Sequence, residues 1–258
     1  MPVTDWRTAV PRLREAGVEQ PELDARRLAE WSASEAAFDK AIRRRLDREP
    51  VSRIVGLRAF WKDEFVVTPE VLDPRPDTEA VVEAGLEAPF ADVLDLGTGS
   101  GCILLSLLRE RTEAEGLGTD ASEAALAVAK GNAERLGLAD RTKFERADWT
   151  AGLDAGFDLV VSNPPYISET ERQTLQPEVA RWDPEAALFA GVDGLRAYRS
   201  ILVGIAAVLR PQGRLILEVG AGQAASVAGL CRAAGFEDIG YRQDLAGHDR
   251  CIVARRLG

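Results

Sequence analysis

Between Phe157 and Tyr166 the chain reads Phe-Asp-Leu-Val-Val-Ser-Asn-Pro-Pro-Tyr. Phe157 and Leu159 to Val161 form a short apolar run with β-branched residues, which predicts a central parallel strand. Pro164 and Pro165 end the ladder because neither nitrogen can donate a hydrogen bond. Pro164 also holds Asn163 in an extended conformation. The strand therefore delivers Asn163, the Pro164 carbonyl and the Tyr166 ring to its carboxyl end, the edge at which open α/β sheets take ligands. An Asn side-chain oxygen and a backbone carbonyl are two acceptors, and together they match both hydrogens of a planar –NH2 group. The purely structural alternative is a Pro-stiffened turn capped by a local Asn.

The chain around this stretch alternates strand and helix. From Asp77 onward, helix 78–86, strand 93–96, helix 102–109, strand 114–119, helix 123–136 and strand 142–146 precede the central strand. Helix 195–209, strand 214–219, helix 223–234 and a terminal strand pair at 237–243 and 251–255 follow it. This order predicts a mostly parallel sheet with helices on both faces. Before Asp77 the pattern changes. Trp6, Val10 and Leu13 lie at helical spacing, Pro21 opens a second helix and 36–46 a third, whose arginines read as a solvated face. Two short strands, 59–61 and 65–67, read as a hairpin turning at Lys62 to Glu64. The expected organisation is a helical N-terminal substrate-recognition domain at 1–56, a β-hairpin linker at 57–76 and the main α/β domain at 77–258.

Composition narrows the function. A net charge of -10 argues against binding nucleic acid through its phosphates and favours a basic partner. No apolar run is long enough to span a bilayer, and no basic-then-apolar leader opens the chain. The three cysteines, Cys102, Cys231 and Cys251, have no metal-ligand spacing and suit a reducing cytoplasm. His248 is the single histidine, so no histidine pair or histidine-rich metal centre is expected, and no metal is assigned.

Three further features fall after three successive strands. Asp95-Leu96-Gly97-Thr98-Gly99-Ser100-Gly101 leaves the first strand and opens a helix. Its glycines let a ligand approach the backbone. A dinucleotide fingerprint would put its third glycine at Cys102, one place later. Asp95, two before the first glycine, suits a cationic ligand better than a pyrophosphate. Asp120 ends the next strand, where an acid holds ribose hydroxyls, although it also reads as a helix-start residue. Asp148-Trp149 ends the third, an acid and an indole able to bond an adenine edge and cover its face.

These residues resemble the class I S-adenosylmethionine-dependent methyltransferases that methylate –NH2 nitrogens, and more narrowly the HemK/PrmC family of peptide chain release factor glutamine methyltransferases. The resemblance extends to Pro74–Glu79, Glu185–Gly191, Leu217–Gly220, Asp244–Arg250 and the Leu23–Arg26 segment, nearly the whole chain. It implies a Rossmann-like, seven-stranded methyltransferase sheet with a small helical N-terminal domain. It implies S-adenosyl-L-methionine as cofactor, held by Asp95, Gly97, Thr98, Gly99, Ser100, Gly101, Asp120, Asp148, Trp149 and Asn163. Asn163, Pro164 and Tyr166 would carry catalysis. With Pro165 and Arg75 they would hold the substrate glutamine of a release factor, in a cytoplasmic enzyme of translation termination. The stretch between Trp31 and Val51 is shorter than usual for that family, so the partner is less fixed than the chemistry. The alternatives are a ribosomal-protein glutamine or an adenine-N6 in DNA as acceptor and, from another class, a nicotinamide-dependent dehydrogenase.

Overall fold

The computed structural model of the protein describes residues 5–154, 156–244 and 246–256. Residues 1–4 and 257–258 of the expected outer domains, and Leu245 of the 244–250 motif, lie outside them. After a 3-10 turn at Trp6–Ala9 come α1 (Val10–Glu15), α2 (Pro21–Trp31), α3 (Glu35–Leu46) and α4 (Val51–Val55). Pro21 starts α2 where a missing N–H costs nothing. The Ser34 side chain caps α3 by accepting from the Ala37 N–H at 3.2 Å. Leu13, Ala25, Leu28, Phe38, Ile42 and Ile54 bury their side chains against one another in a core separate from that of the sheet. α4 was not expected, because five residues between Pro50 and Gly56 are too few to show a period.

The arginines of α3 form a solvated face only in part: Arg43 is exposed, but Arg45 and, just beyond the helix, Arg48 are not. Arg45 is only 6% exposed and forks between Asp24 and Glu178, each at 2.8 Å. Arg48 reaches the same Glu178 at 2.6 Å, and Arg44 pairs with Glu49 at 2.6 Å. The acids that bury this basic run come from outside the helix, Glu178 from more than a hundred residues away, so the local sequence gave no sign of them.

The hairpin forms as β1 (Leu57–Phe60) and β2 (Asp63–Val66), paired from Leu57↔Val66 to Phe60↔Asp63. Its turn is Trp61-Lys62, tighter than expected and starting one residue earlier. Trp61 takes a positive φ of 55° and is anchored by hydrogen bonds from its backbone to Glu79 and from its indole to Glu110.

Among the described residues the main sheet has seven strands: β3 (Asp92–Leu96), β4 (Glu115–Asp120), β5 (Thr142–Arg146), β6 (Phe157–Ser162), β7 (Leu209–Glu218), β8 (Phe236–Gln243) and β9 (Asp249–Arg256), in the order β5-β4-β3-β6-β7-β9-β8. Only β9 runs against its neighbours. The intervening helices are α5 (Glu79–Leu86), α6 (Cys102–Glu110), α7 (Glu123–Arg135), α8 (Pro177–Trp182), α9 (Arg196–Val208) and α10 (Ala224–Ala233). Side-chain alternation explains why β6 is apolar throughout: Leu159 and Val161 meet α5 and α6 on one face, while Val160 meets α9 and α10 on the other. β7 starts at Leu209, earlier than the expected Arg214, because Pro211-Gln212-Gly213 is taken up as a bulge opposite Asp158. No helix among the described residues is long and apolar enough to cross a membrane.

The register fixes what leaves the sheet. Leu96 pairs with Thr119 and Ser162, and Ser162 with Leu217. The next residue on each strand is therefore Gly97, Asp120, Asn163 or Glu218, four positions in one row at the carboxyl edge.

Asn132, fully buried on α7, ties the hairpin to this edge. Its oxygen accepts from the Val66 N–H at 2.8 Å, and its amide donates to the carbonyls of Val66 and Ser100 at 3.1 and 2.9 Å. Asn132→Ala strands those buried groups and is expected to cost about 1–3 kcal/mol, a drop of roughly 2–4 °C in Tm per kcal/mol. An unchanged melt would show that this carboxamide does not hold the hairpin.

Candidate active site

A cleft of about 330 Å³ opens at the carboxyl edge, lined by the glycine loop, Asp120, Asp148, Trp149, Asn163 and Pro165, with Arg75 and Thr78 on one side and Pro184 to Ala187 on another. The glycine loop turns tightly because Gly97, Gly99 and Gly101 take φ values of +70°, +55° and +81°, which L side chains avoid. Thr98 pins it from within, its N–H donating to the Thr119 carbonyl and its hydroxyl to Asp95 at 2.7 Å. A Cβ at Gly99 would meet nothing within 4 Å, so that backbone faces open space, and a Cβ at Gly97 would stand 3.7 Å from the Trp149 ring.

Asp95 lies beneath the loop, fully buried and not part of the lining. Burial pushes its pKa up to about 7, against the pull of the Thr98 hydroxyl and with some help from the Asp120 charge. Its Oδ1 has no hydrogen-bond partner. An acid with an orphaned oxygen under a glycine loop is suited to a donor arriving from the cleft. Asp120 takes the helix-start role read from sequence and also lines the cleft. Its two oxygens accept from the Gly99 and Ser122 N–H groups at 3.0 and 2.9 Å, closing the loop and starting α7. A carboxylate offers about four lone-pair sites, so acceptor capacity remains toward the cleft. Trp149 reaches the lining from a backbone at φ +53°.

Asn163 lines the cleft, and its Nδ2 donates to the Thr78 hydroxyl oxygen at 3.1 Å. No donor among the described residues claims its Oδ1 or the Pro164 carbonyl. Pro164 and Tyr166, expected in the site, are not among the residues that line the cleft. The Tyr166 segment is held rigidly. The Gln223 amide donates to the Tyr166 carbonyl at 2.9 Å, and Gly194 packs so closely there that a Cβ would stand 2.4 Å from that oxygen. Burial, and then the nearby Glu218, push the Tyr166 phenol above its ordinary value.

Sequence reasoning missed three contributors. Thr78 was read as the start of a helix and as part of the Pro74–Glu79 motif, without a role in the site. Glu218 was quoted in a motif without a role, although an acid ending an apolar strand was the available signal. Asp183, with a fully buried side chain, binds Arg53 of α4 at 2.9 Å and Arg75 at 2.6 Å, so Arg75 reaches the cleft already paired. His248 is largely exposed, in a turn outside the lining.

Fold and cleft together define a methyltransferase of the Rossmann-like class I type. Residues 90–233 match the family model described as methyltransferase domain. The fold is similar to that of a methyltransferase from Pyrococcus furiosus, with a TM-score of 0.57 at 14% identity over 78% of this chain and 92% of that one. At closer range, the release factor glutamine methyltransferase of Cereibacter sphaeroides is 49% identical over 267 residues, covering 96% of both chains. That of Rhodospirillum rubrum is 47% identical over 266 residues, 95% of this chain and 82% of its own. The chain belongs to the release factor glutamine methyltransferase family.

The buried Asp95 has a stability consequence. Its pKa rises from 3.8 unfolded to about 7 folded, so the native state binds the proton more tightly, and stability falls as pH rises across that window. Asp95→Asn removes this titration. Thermal melts of ligand-free protein between those pH values should therefore fall less steeply for the variant. An identical slope would mean that Asp95 is ionised at little cost.

Proposed function

We propose that this protein transfers a methyl group from S-adenosylmethionine to the side-chain amide nitrogen of a glutamine in peptide chain release factors. The observation that carries the reading is the unclaimed acceptor pair, Asn163 Oδ1 and the Pro164 carbonyl, beside a glycine loop with an open backbone face. Gly97 to Gly101 would hold the methionine part of the cofactor, with Asp95 beneath them. Asp120 would hold the ribose, and Asp148 and Trp149 the adenine. When bound, the cofactor supplies an electrophilic methyl on a sulfonium sulfur that departs as a neutral thioether.

The chain's own groups supply alignment. Asn163 Oδ1 and the Pro164 carbonyl accept the two amide N–H bonds and turn the nitrogen lone pair toward the methyl, opposing the resonance that makes an amide a poor nucleophile. Tyr166 backs this loop, while Pro165, Ala186 and Ala187 narrow the wet space around the nitrogen. The methylated amide is strongly acidic and gives its extra proton to water, so no base is required. We assign residues 1–56 to substrate recognition and 57–76 to the linker. The acidic chain suits a basic region of the partner. The three described cysteines, all free, suit the cytoplasm in which release factors work.

Incubation with labelled cofactor and purified release factors, followed by mass spectrometry of tryptic peptides, should place one methyl on one glutamine. Label appearing only on DNA or on a ribosomal protein would overturn the substrate assignment. Asn163→Ala should keep most cofactor affinity and lose about a hundredfold or more in transfer; near-wild-type transfer would leave the loop a stiff turn. Asp120→Ala should weaken cofactor binding measured by calorimetry by roughly ten- to a hundredfold, as for loss of a charge-assisted hydrogen bond, and unchanged affinity would remove the ribose assignment.

A further inference from the structure

Arg75 is the only Lys, Arg or His that lines the cleft, whose other charged residues are the acids Glu70, Asp120 and Asp148. Its backbone is fixed before anything binds. Pro76 holds Arg75 extended, at φ -102° and ψ 142°, and Arg58 Nε donates to the preceding Pro74 carbonyl at 2.9 Å. Its side chain has one polar contact among the described residues, Nη2 donating to Asp183 Oδ2 at 2.6 Å. Nε and Nη1 meet no acceptor among those residues, and 35% of the side chain stays exposed. The guanidinium therefore reaches the cleft with one corner pinned and the rest of its donor fork open.

The two oxygens of Asp183 have separate tasks. Oδ1 accepts from Arg53 Nη2 at 2.9 Å and from the Asp73 N–H at 3.3 Å, which ties this point of the chain to α4 and to the linker. Oδ2 accepts from Arg75 alone. The Asp183 side chain is fully buried, so it does not itself meet a protein substrate. Pro184 follows it directly and lines the cleft, with Ala186 and Ala187 beyond. Asp183 thus couples the Arg75 fork to the wall that borders the substrate amide in the proposed reaction.

A glutamine inserted side chain first leaves its backbone outside the amide site, and the carbonyls of that backbone need donors. We propose that Asp183 is a positioning residue that pre-sets Arg75, so that the open donors of the fork take backbone carbonyl oxygens of the peptide segment carrying the target glutamine. This rests on the assignment of a protein glutamine as methyl acceptor. An arginine stem has many rotamers. A free one loses that freedom when the substrate binds, whereas a pinned one has lost it already. A carbonyl is the matching acceptor because the Asp183 carboxylate already pairs with the Arg75 charge.

The test is steady-state methylation of a purified release factor, with S-adenosylmethionine affinity measured separately by calorimetry. Asp183→Asn is the selective change. Its oxygen can keep Arg53 and Asp73, while its NH2 replaces the acceptor that Arg75 uses. It should raise KM for the release factor about tenfold, as for loss of one charge-assisted hydrogen bond, and should move KM far more than kcat or the cofactor Kd. Arg75→Gln should raise KM at least as much, and adding Asp183→Asn to it should raise KM no further. Arg75→Lys keeps the charge and the pair with Asp183 but not the fork, and should behave like Arg75→Gln. If Asp183→Asn does not fold, Asp183→Glu takes its place. It keeps the charge that Arg53 needs, displaces the contact to Arg75, and should show the same rise in KM and the same lack of effect beside Arg75→Gln. Additive rises in the double variant would make Asp183 a structural residue only and overturn the positioning role. Arg75→Gln with an unchanged KM would overturn the contact to the peptide. So would Arg75→Gln with weakened cofactor affinity and an unchanged KM, which would put the fork on the cofactor carboxylate. A wild type that methylates no glutamine would overturn the underlying function and this role with it, whereas the other outcomes leave that function standing.

Discussion

The structure depends on the parallel register that sets Leu96, Thr119, Ser162 and Leu217 side by side across four strands. Ser162 locks it at the central pair, its hydroxyl donating to the Leu96 carbonyl at 2.6 Å in a fully buried position. A slip of one residue would reverse the face of every side chain on a strand. Val160 would then leave the α9 side, and Asn163 would no longer leave the sheet level with Gly97. Because both faces are buried, such a slip would strand apolar area on two sides at once. The hydrophobic core thus fixes the relative heights of the glycine loop, Asp120, Asn163 and Glu218, and the polar chemistry at the edge inherits that precision.

Three of the buried acids at this edge, Asp95, Asp183 and Glu218, are of different kinds. Asp183 is satisfied by two arginines, so its cost is offset locally. Asp95 and Glu218 are not. Each carries an oxygen with no partner, and burial holds each near neutrality in its pKa. A carboxylate in that state has free energy to gain from any donor that reaches it or its immediate neighbour. One lies under the glycine loop and the other in the row of the sheet edge beside Asn163. Strongly raised acids placed on both sides of one cleft mark a functional edge more firmly than either does alone.

The sheet was legible in the sequence because its signals are local. Ser122 and Gly137 bracket α7, the double proline ends β6, and apolar periodicity gives α9 and the order of the main strands. Asn163, Asp120 and the glycine loop were legible for the same reason, since strand ends in an alternating α/β pattern fall on one edge. The missed parts are made by contacts between distant segments. Arg45 looks like any surface arginine until Glu178 arrives, and Thr78 looks like a helix start until the Asn163 amide donates to it. The segment from Ser168 to Leu195 has only short 3-10 turns and the six residues of α8, too little for periodicity to register.

That poorly legible segment joins the helical N-terminal part to the cleft. Its Pro184 to Ala187 stretch forms one wall of the cleft. It is gripped at two points from the N-terminal helices, Glu178 by Arg45 and Arg48 and Asp183 by Arg53. Burial pushes Glu178 up, but the two arginines outweigh it and hold its carboxyl below the ordinary value. Buried ion pairs are weak sources of net stability, yet losing one partner is costly because a charge is left without compensation. The contact is therefore poor glue and good registration. It tolerates one arrangement of the wall relative to the helices and penalises the others. The ion pairs from Arg45, Arg48 and Arg53 thus tie the N-terminal helical part and the cleft wall into one unit.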